Sequence, residues 1–169
     1  MKSKNDTTLS AYDRATVIFH WASALAILAL WPIGKLMTRT ETPNAVLYPL
    51  HVIIGLGVAA ATIGRVIWVV RHQRPEHLEM PRWEKILFVA NHYVLYIVLF
   101  FLSLTGIVML VSTGSLDAIA LAKNDGPSTQ HEIASTVFLV MFVMHVGGVI
   151  YYQVKNGRTL KRMGVPVSR

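Results

Sequence analysis

Four histidines, His20, His51, His131 and His145, lie inside or at the edge of strongly apolar stretches. An imidazole in hydrocarbon is costly, and a polar group placed there is by default a candidate for function. Imidazole nitrogen binds zinc, copper and iron, and histidine is a common axial ligand of haem iron. His131 and His145 are 14 residues apart. On one α-helix that is nearly four turns and roughly 21 Å, so both rings point to nearly the same face, one near each leaflet. This spacing suits two stacked haems.

The composition says what carries these residues. Of 169 residues, 53% are hydrophobic and 15% charged, with a mean hydropathy of +0.47. Soluble domains carry roughly 25% charged residues, so the balance points to a membrane protein. The length suits one domain over residues 1–169. No cysteine is present, which excludes disulfides, thiolate metal sites, covalent haem attachment and cysteine-ligated iron–sulfur clusters. Iron must then be held by nitrogen or, less favourably, by Met or Tyr. The N-terminal residues MKSKNDTTLSAYDRA are polar. The apolar run after them exceeds a signal h-region and lacks a small-residue cleavage site, so the first span is expected to be retained.

A span needs about 20 mainly apolar residues, and four stretches qualify: 15–36, 46–70, 86–111 and 132–154. The connecting segments all contain Pro, as loops should. Orientation follows from Lys and Arg. With the N-terminus inside, only Lys35, Arg39 and Lys123 lie outside, and the other thirteen of sixteen lie inside. The expected fold is therefore all-α, an integral-membrane up-down-up-down four-helix bundle with both termini cytoplasmic. The same asymmetry accounts for the formal charge of +7 through anionic lipid headgroups, without nucleic acid.

Such bundles build cofactor sites from side chains on facing helices. His20 falls near the inner end of span one, and His145 at the inner side of span four. His51 falls near the outer end of span two, and His131 at the outer entry of span four. Depth therefore pairs His20 with His145 and His51 with His131, each pair on one iron. A single intramembrane histidine is often a packing residue or a proton carrier, but two depth-matched pairs favour ligation. A zinc or copper site is disfavoured because carboxylates lie far from these residues.

His92, in span three at the inner level, is an alternative partner for His20 or His145, or a quinone contact. His72 and His77 fall in the inner loop and read as solvated. Arg65 lies 14 residues after His51, on the same helical face near the inner level. Its two readings are a partner for haem propionates and a side chain snorkelling to the inner surface. Gly55, Gly57, Gly64, Gly106, Gly147 and Gly148 either admit a flat macrocycle or serve close helix packing. Trp21, Trp31, Trp68, Trp83, Tyr151 and Tyr152 mostly sit near span ends, as interfacial belts do.

The segments RATVIFHW, LHVIIGLGVAAATIGRVIW, NHYVLY and HEIASTVFLVMFVMH together resemble the bacterial cytochrome b561 family. That family in turn resembles the b-type subunits of membrane hydrogenases and formate dehydrogenases. The resemblance runs from about Tyr12 to Met163. It implies a multi-pass protein of the bacterial inner membrane, two haem b groups with the ligand pairs given above, quinone as a redox partner and, for some members, superoxide oxidation at the outer face. The expected activity is electron transfer, of the superoxide:ubiquinone oxidoreductase type or as a quinone-linked carrier of a respiratory chain. Candidate quinone contacts are His92, Arg82 and Tyr152, and candidate outer steering cations are Lys35, Arg39 and Lys123. The inner loop is mixed in charge rather than Lys/Pro-rich, and the outer loop LDAIALAKNDGPSTQ has no diagnostic motif. Two other readings are a cytochrome subunit relaying electrons for a hydrogenase or dehydrogenase, and a haem-free proton or metal transporter.

The charge asymmetry gives a direct test. A topology reporter fused after Arg169 should read as cytoplasmic, and one inserted near Asn124 as periplasmic. The reverse pattern would invert the bundle.

Overall fold

The computed structural model of the chain describes residues 11–39, 46–72, 80–112 and 128–166. Among them are four long helices: α1 (Arg14–Met37), α2 (Leu47–Arg71), α3 (Arg82–Ser112) and α4 (Thr129–Asn156). A short α5 (Thr159–Arg162) follows. All four long helices are long and apolar enough to cross a membrane, and no strand occurs among the described residues. Three spans begin and end within three residues of the expected bounds. The exception is α3, which starts at Arg82, four residues before Ile86. The sequence Arg82-Trp83-Glu84-Lys85 is too polar to score as a span, yet it continues the helix and buries Glu84.

Side-chain distribution is that of a bundle solvated by lipid. Ile18, Leu25, Ile53, Val70, Ile97, Phe100, Val143 and Val154 all face outward. An apolar surface of this extent marks a membrane or partner surface. The fully buried apolar residues are few: Val58, Leu110, Ala134, Phe138 and Tyr152. Polar Thr16, Ser23 and Thr62 are buried beside them. Thr62 returns its hydroxyl to the Val58 carbonyl, 2.8 Å away, which satisfies a group that would otherwise be costly.

Packing is uneven. α1 lies on α2, α3 on α4, and α2 on α3, whereas α4 makes at most a marginal backbone approach to α1 or α2. Two side-chain links fix the α3–α4 pair. Asn91 Nδ2 donates to the Met141 carbonyl at 3.2 Å. Near the end that holds the start of α1, the Tyr152 hydroxyl donates to buried Glu84, and Lys155 Nζ stands 3.4 Å from the same carboxylate. At the other end, Lys35 of α1 meets Glu132 of α4 at 4.0 Å.

Helix ends follow from local sequence. Asp13 caps α1: its carboxylate accepts from Thr16 N at 2.9 Å and from Thr16 Oγ1 at 2.6 Å. Trp68 Nε1 of α2 donates to it at 3.1 Å. Ser128 caps α4 through His131 N, at 3.2 Å. Gly157, with φ 67°, ends α4 in the left-handed conformation that glycine adopts without a Cβ penalty.

The Thr16 side-chain and backbone hydrogen bonds, with that from Trp68, hold the Asp13 carboxyl below its usual pKa. A carboxylate depressed in the folded state stabilises fully above its ordinary pKa and loses that contribution as pH falls through the lowered value. Asp13→Ala should cost about 1 kcal/mol as a lost N-cap. Thermal unfolding in detergent should show the difference at pH 7 and a smaller one in strong acid. An equal difference at both pH values would separate the effect from the carboxylate charge.

Candidate haem sites

The structure places the four histidines in two pairs. His20 on α1 faces His145 on α4, with ring centroids 6.1 Å apart and planes inclined by 54°. His51 on α2 faces His131 on α4, at 6.3 Å and 69°. Both pairs join helices whose backbones stay apart, α1 with α4 and α2 with α4.

These separations can be tested against ligation. With a metal–nitrogen bond of about 2 Å and a ring nitrogen about 1.2 Å from its centroid, two imidazoles on opposite sides of one metal would have centroids up to about 6.4 Å apart. Both pairs match this distance. His92 and His145 are closer, at 4.9 Å and nearly perpendicular. That is too short for two trans axial ligands. His92 instead packs edge-on against His145, with its Nδ1–H donated to the Phe88 carbonyl at 2.7 Å.

Hydrogen bonding sets the tautomers. The Thr105 hydroxyl donates to the Leu102 carbonyl at 2.9 Å, so its oxygen accepts from His131 Nδ1–H at 3.0 Å. His131 Nε2 then keeps its lone pair for a metal. An imidazole ligand characteristically donates its other ring N–H in this way. The His51 ring has the Leu30 backbone of α1 as its hydrogen-bonding neighbour.

Clearance around the rings comes from glycine. A Cβ on Gly34 of α1 would stand 3.2 Å from His51 Cε1, and one on Gly106 of α3 would stand 3.4 Å from His131 Cε1. Gly55, one turn from His51, and Gly148, three residues after His145, are half-buried with nothing within 4 Å of a Cβ. The donor set, the ring spacing and this clearance fit a bis-histidine haem at each level. Among the described residues no group of three or more His, Asp or Glu is arranged to hold a bare metal ion.

The other sequence-selected residues fall as follows. Arg65 Nη2 lies 3.2 Å from His20 Nδ1, and its guanidinium sits over the Tyr96 ring at 5.4 Å. Its Nε is buried and unpaired. Arg65 thus reaches the level of the His20–His145 pair. Tyr152 is buried with its hydroxyl committed to Glu84. Arg82 opens α3 at the same end of the bundle and is exposed. Arg39 is exposed just beyond α1, whereas Lys35 is paired with Glu132. Lys123 and His77 lie outside the described residues. His72 stacks on Trp68 at the end of α2, as its solvated reading allows.

Sequence reasoning passed over Gly34, Thr105 and Glu84. Thr105 and Glu84 precede His131 and Tyr152 by 26 and 68 positions, so only the fold brings them together. Gly34 sits close to Pro32 near the end of α1, where it reads as a helix terminus rather than as space for a ring on α2.

A multi-pass helical bundle with paired histidines at two depths defines a membrane b-type cytochrome. The chain belongs to the family described as prokaryotic cytochrome b561, which matches residues 11–165. Membership makes it a membrane electron-transfer protein that binds haem b. No curated protein matches the chain closely.

Thr105→Val removes the acceptor of His131 Nδ1–H. Loss of such a partner typically weakens a metal site on the order of 10- to 100-fold. The variant should lose haem during purification or dilution, while Thr136→Val on α4, whose hydroxyl bonds only the Glu132 carbonyl, should not. Equal retention in both would remove Thr105 from the site.

Proposed function

We propose that the chain is a dihaem cytochrome that carries electrons across the bacterial inner membrane, from a donor at the outer face to the quinone pool. The observation that carries this reading is the pair of trans-compatible histidine spacings, 6.1 and 6.3 Å, between helices that do not pack on each other. His51 and His131 would hold the outer haem, and His20 and His145 the inner one. Haem b supplies a one-electron couple at each level.

The protein side of the mechanism follows from these positions. Two histidines would hold each haem, so a small donor would deliver its electron at the outer surface rather than by binding iron. Superoxide is the donor implied by resemblance. The outer segments carry Lys35, Arg39 and Lys123 against Glu41, Asp117, Asp125 and Glu132, and Lys35 is paired with Glu132. Attraction of an anion therefore rests on Arg39 and Lys123 locally and not on the net charge of that face. At the inner end, quinone reduction takes up protons. Glu84, Tyr152 and Lys155 form a protonatable group there, with His92 and Arg82 on the same helix as Glu84. Arg65, beside His20, is placed to balance negative charge at the inner level.

A pyridine haemochrome assay should give about two haems b per chain. His51→Ala or His131→Ala should remove the outer low-spin signal, and His20→Ala or His145→Ala the inner one. His92→Ala should leave both. The purified protein should be reduced by superoxide and reoxidised by a ubiquinone analogue, with the first rate lowered by Arg39→Glu. Reduction only by a co-purified dehydrogenase or hydrogenase would identify a subunit of that complex instead. A preparation without haem would leave the transporter reading.

A further inference from the structure

His51 and His131 meet the same backbone arrangement, each on the helix that packs beside its own. His51 of α2 lies against α1, where the Leu30 backbone is its hydrogen-bonding neighbour. His131 of α4 lies against α3, where the Leu102 backbone takes that place. In each case a glycine follows the leucine by four residues: Gly34 in LWPIG and Gly106 in LSLTG. The same edge of each ring faces the glycine. A Cβ on Gly34 would stand 3.2 Å from His51 Cε1 and 3.6 Å from its Nδ1. A Cβ on Gly106 would stand 3.4 Å from His131 Cε1 and 3.8 Å from its Nδ1.

The four-residue spacing has a physical reason. In an α-helix the carbonyl of one residue accepts from the N–H four residues on, and it keeps a second lone pair. A helical side chain leans towards the N-terminus and covers the turn before its own Cα. The residue four positions on therefore decides whether a group from a neighbouring helix reaches that carbonyl, and glycine leaves it open. Glycine inside a helix weakens it relative to alanine, so two glycines at matched positions against these rings need a reason in the contact itself. A ring that donates Nδ1–H to a carbonyl keeps its lone pair on Nε2, the orientation characteristic of a ligand imidazole. At His131 the Thr105 hydroxyl joins the arrangement: it donates to the Leu102 carbonyl at 2.9 Å and lies 3.0 Å from His131 Nδ1. The other pair is framed by side chains instead. Arg65 Nη2 stands 3.2 Å from His20 Nδ1, and His92 packs edge-on against His145.

We propose that Gly34 and Gly106 are matched positioning residues: each opens a leucine carbonyl, that of Leu30 or Leu102, to the Nδ1–H of a histidine on the adjacent helix, and so leaves Nε2 of His51 and of His131 for one haem. The inference rests on the dihaem reading given above. It also assigns these backbone groups a redox effect. A carbonyl acceptor makes a ligand imidazole more basic, and a more basic ligand favours ferric over ferrous iron. The two carbonyls would thus hold the potential of this haem below the value that the same histidines would give without them.

The test uses haem-loaded protein purified in detergent: wild type, Gly34→Ala, Gly34→Val and Gly106→Val. The controls are Gly57→Ala and Gly147→Ala, at exposed positions where a Cβ would meet nothing within 4 Å. Potentiometric titration followed in the visible spectrum gives a midpoint for each haem, and the component missing from His51→Ala marks the haem in question. Alanine favours a helix over glycine, so a defect in Gly34→Ala does not come from a weakened α1. Gly34→Ala should raise the midpoint of the marked haem and weaken its retention on dilution by about 10- to 100-fold. Gly106→Val should act on the same haem, and both controls should match wild type. The second haem should stay unchanged throughout, which reports that the bundle is folded. If the valine variants do not fold, Gly34→Ala decides the matter. An unchanged midpoint for the marked haem in Gly34→Ala would overturn the proposal, whether or not haem is lost, because packing alone would then account for the glycine. Equal effects on both haems would overturn it as well. Fewer than two haems b in the wild type is a different result: it would overturn the dihaem reading itself.

Discussion

The distance between α4 and the two helices across from it governs the rest of this bundle. α1 with α2 and α3 with α4 are close-packed pairs, and α2 with α3 joins them. Across the gap between α4 and α1 or α2, His145 faces His20 and His131 faces His51. Few apolar side chains are buried to fill that interface; the buried apolar residues are Val58, Leu110, Ala134, Phe138 and Tyr152. Protein interiors are normally packed as densely as organic crystals. A polypeptide that spends its central face on histidine, glycine, threonine and serine has left the role of core to something else. Under the proposed function, a haem at each histidine level would supply both apolar volume and the metal that makes a buried imidazole favourable.

Much of this was legible in the sequence because two signals are local. Hydropathy alone marks four spans, since lipid-facing and buried residues are both apolar. Helical periodicity alone puts His131 and His145 on one face, because 14 residues are close to four turns. Depth then pairs them with His51 and His20 without knowledge of side-chain positions. The parts that were not legible are those in which one helix answers another. The opening turn of α3 is polar by composition, but Glu84 is buried because Tyr152 and Lys155 of α4 meet it. Gly34 matters because the His51 ring lies against it. The return of α5 is set by Gly157 and Gly164, whose positive φ values turn the chain. Composition does not give the direction of that turn.

The two ends of the bundle differ in how firmly they are tied. One end has the Lys35–Glu132 contact and the Ser128 cap of α4. The other has the Asp13–Trp68 and Tyr152–Glu84 bonds, and the Trp21–Met163 bond that ties the tail to α1. The more heavily tied end is the one with His20, His145, His92 and Arg65. Exact placement matters most there under the proposed function, since both the inner haem and the quinone would be served by it.

Arg65 shows how a cofactor changes the meaning of a contact. A guanidinium only donates, so an Arg65 Nη2 at 3.2 Å from His20 Nδ1 requires that nitrogen to accept. The neutral ring then carries its proton on Nε2, the tautomer that cannot ligate a metal through that nitrogen. His131 shows the opposite arrangement, with Nδ1–H given to Thr105 and Nε2 left free. If His20 were to hold a haem through Nε2, its proton would sit on Nδ1 and repel the Arg65 donor. Arg65 must then direct its fork elsewhere, and Tyr96 holds the guanidinium plane while leaving its edges available. Its buried, unpaired Nε already lacks an acceptor. A haem propionate is a carboxylate that satisfies such a fork in bidentate fashion. On this account the two readings of Arg65, haem partner and snorkelling cation, are separated by the proton on His20.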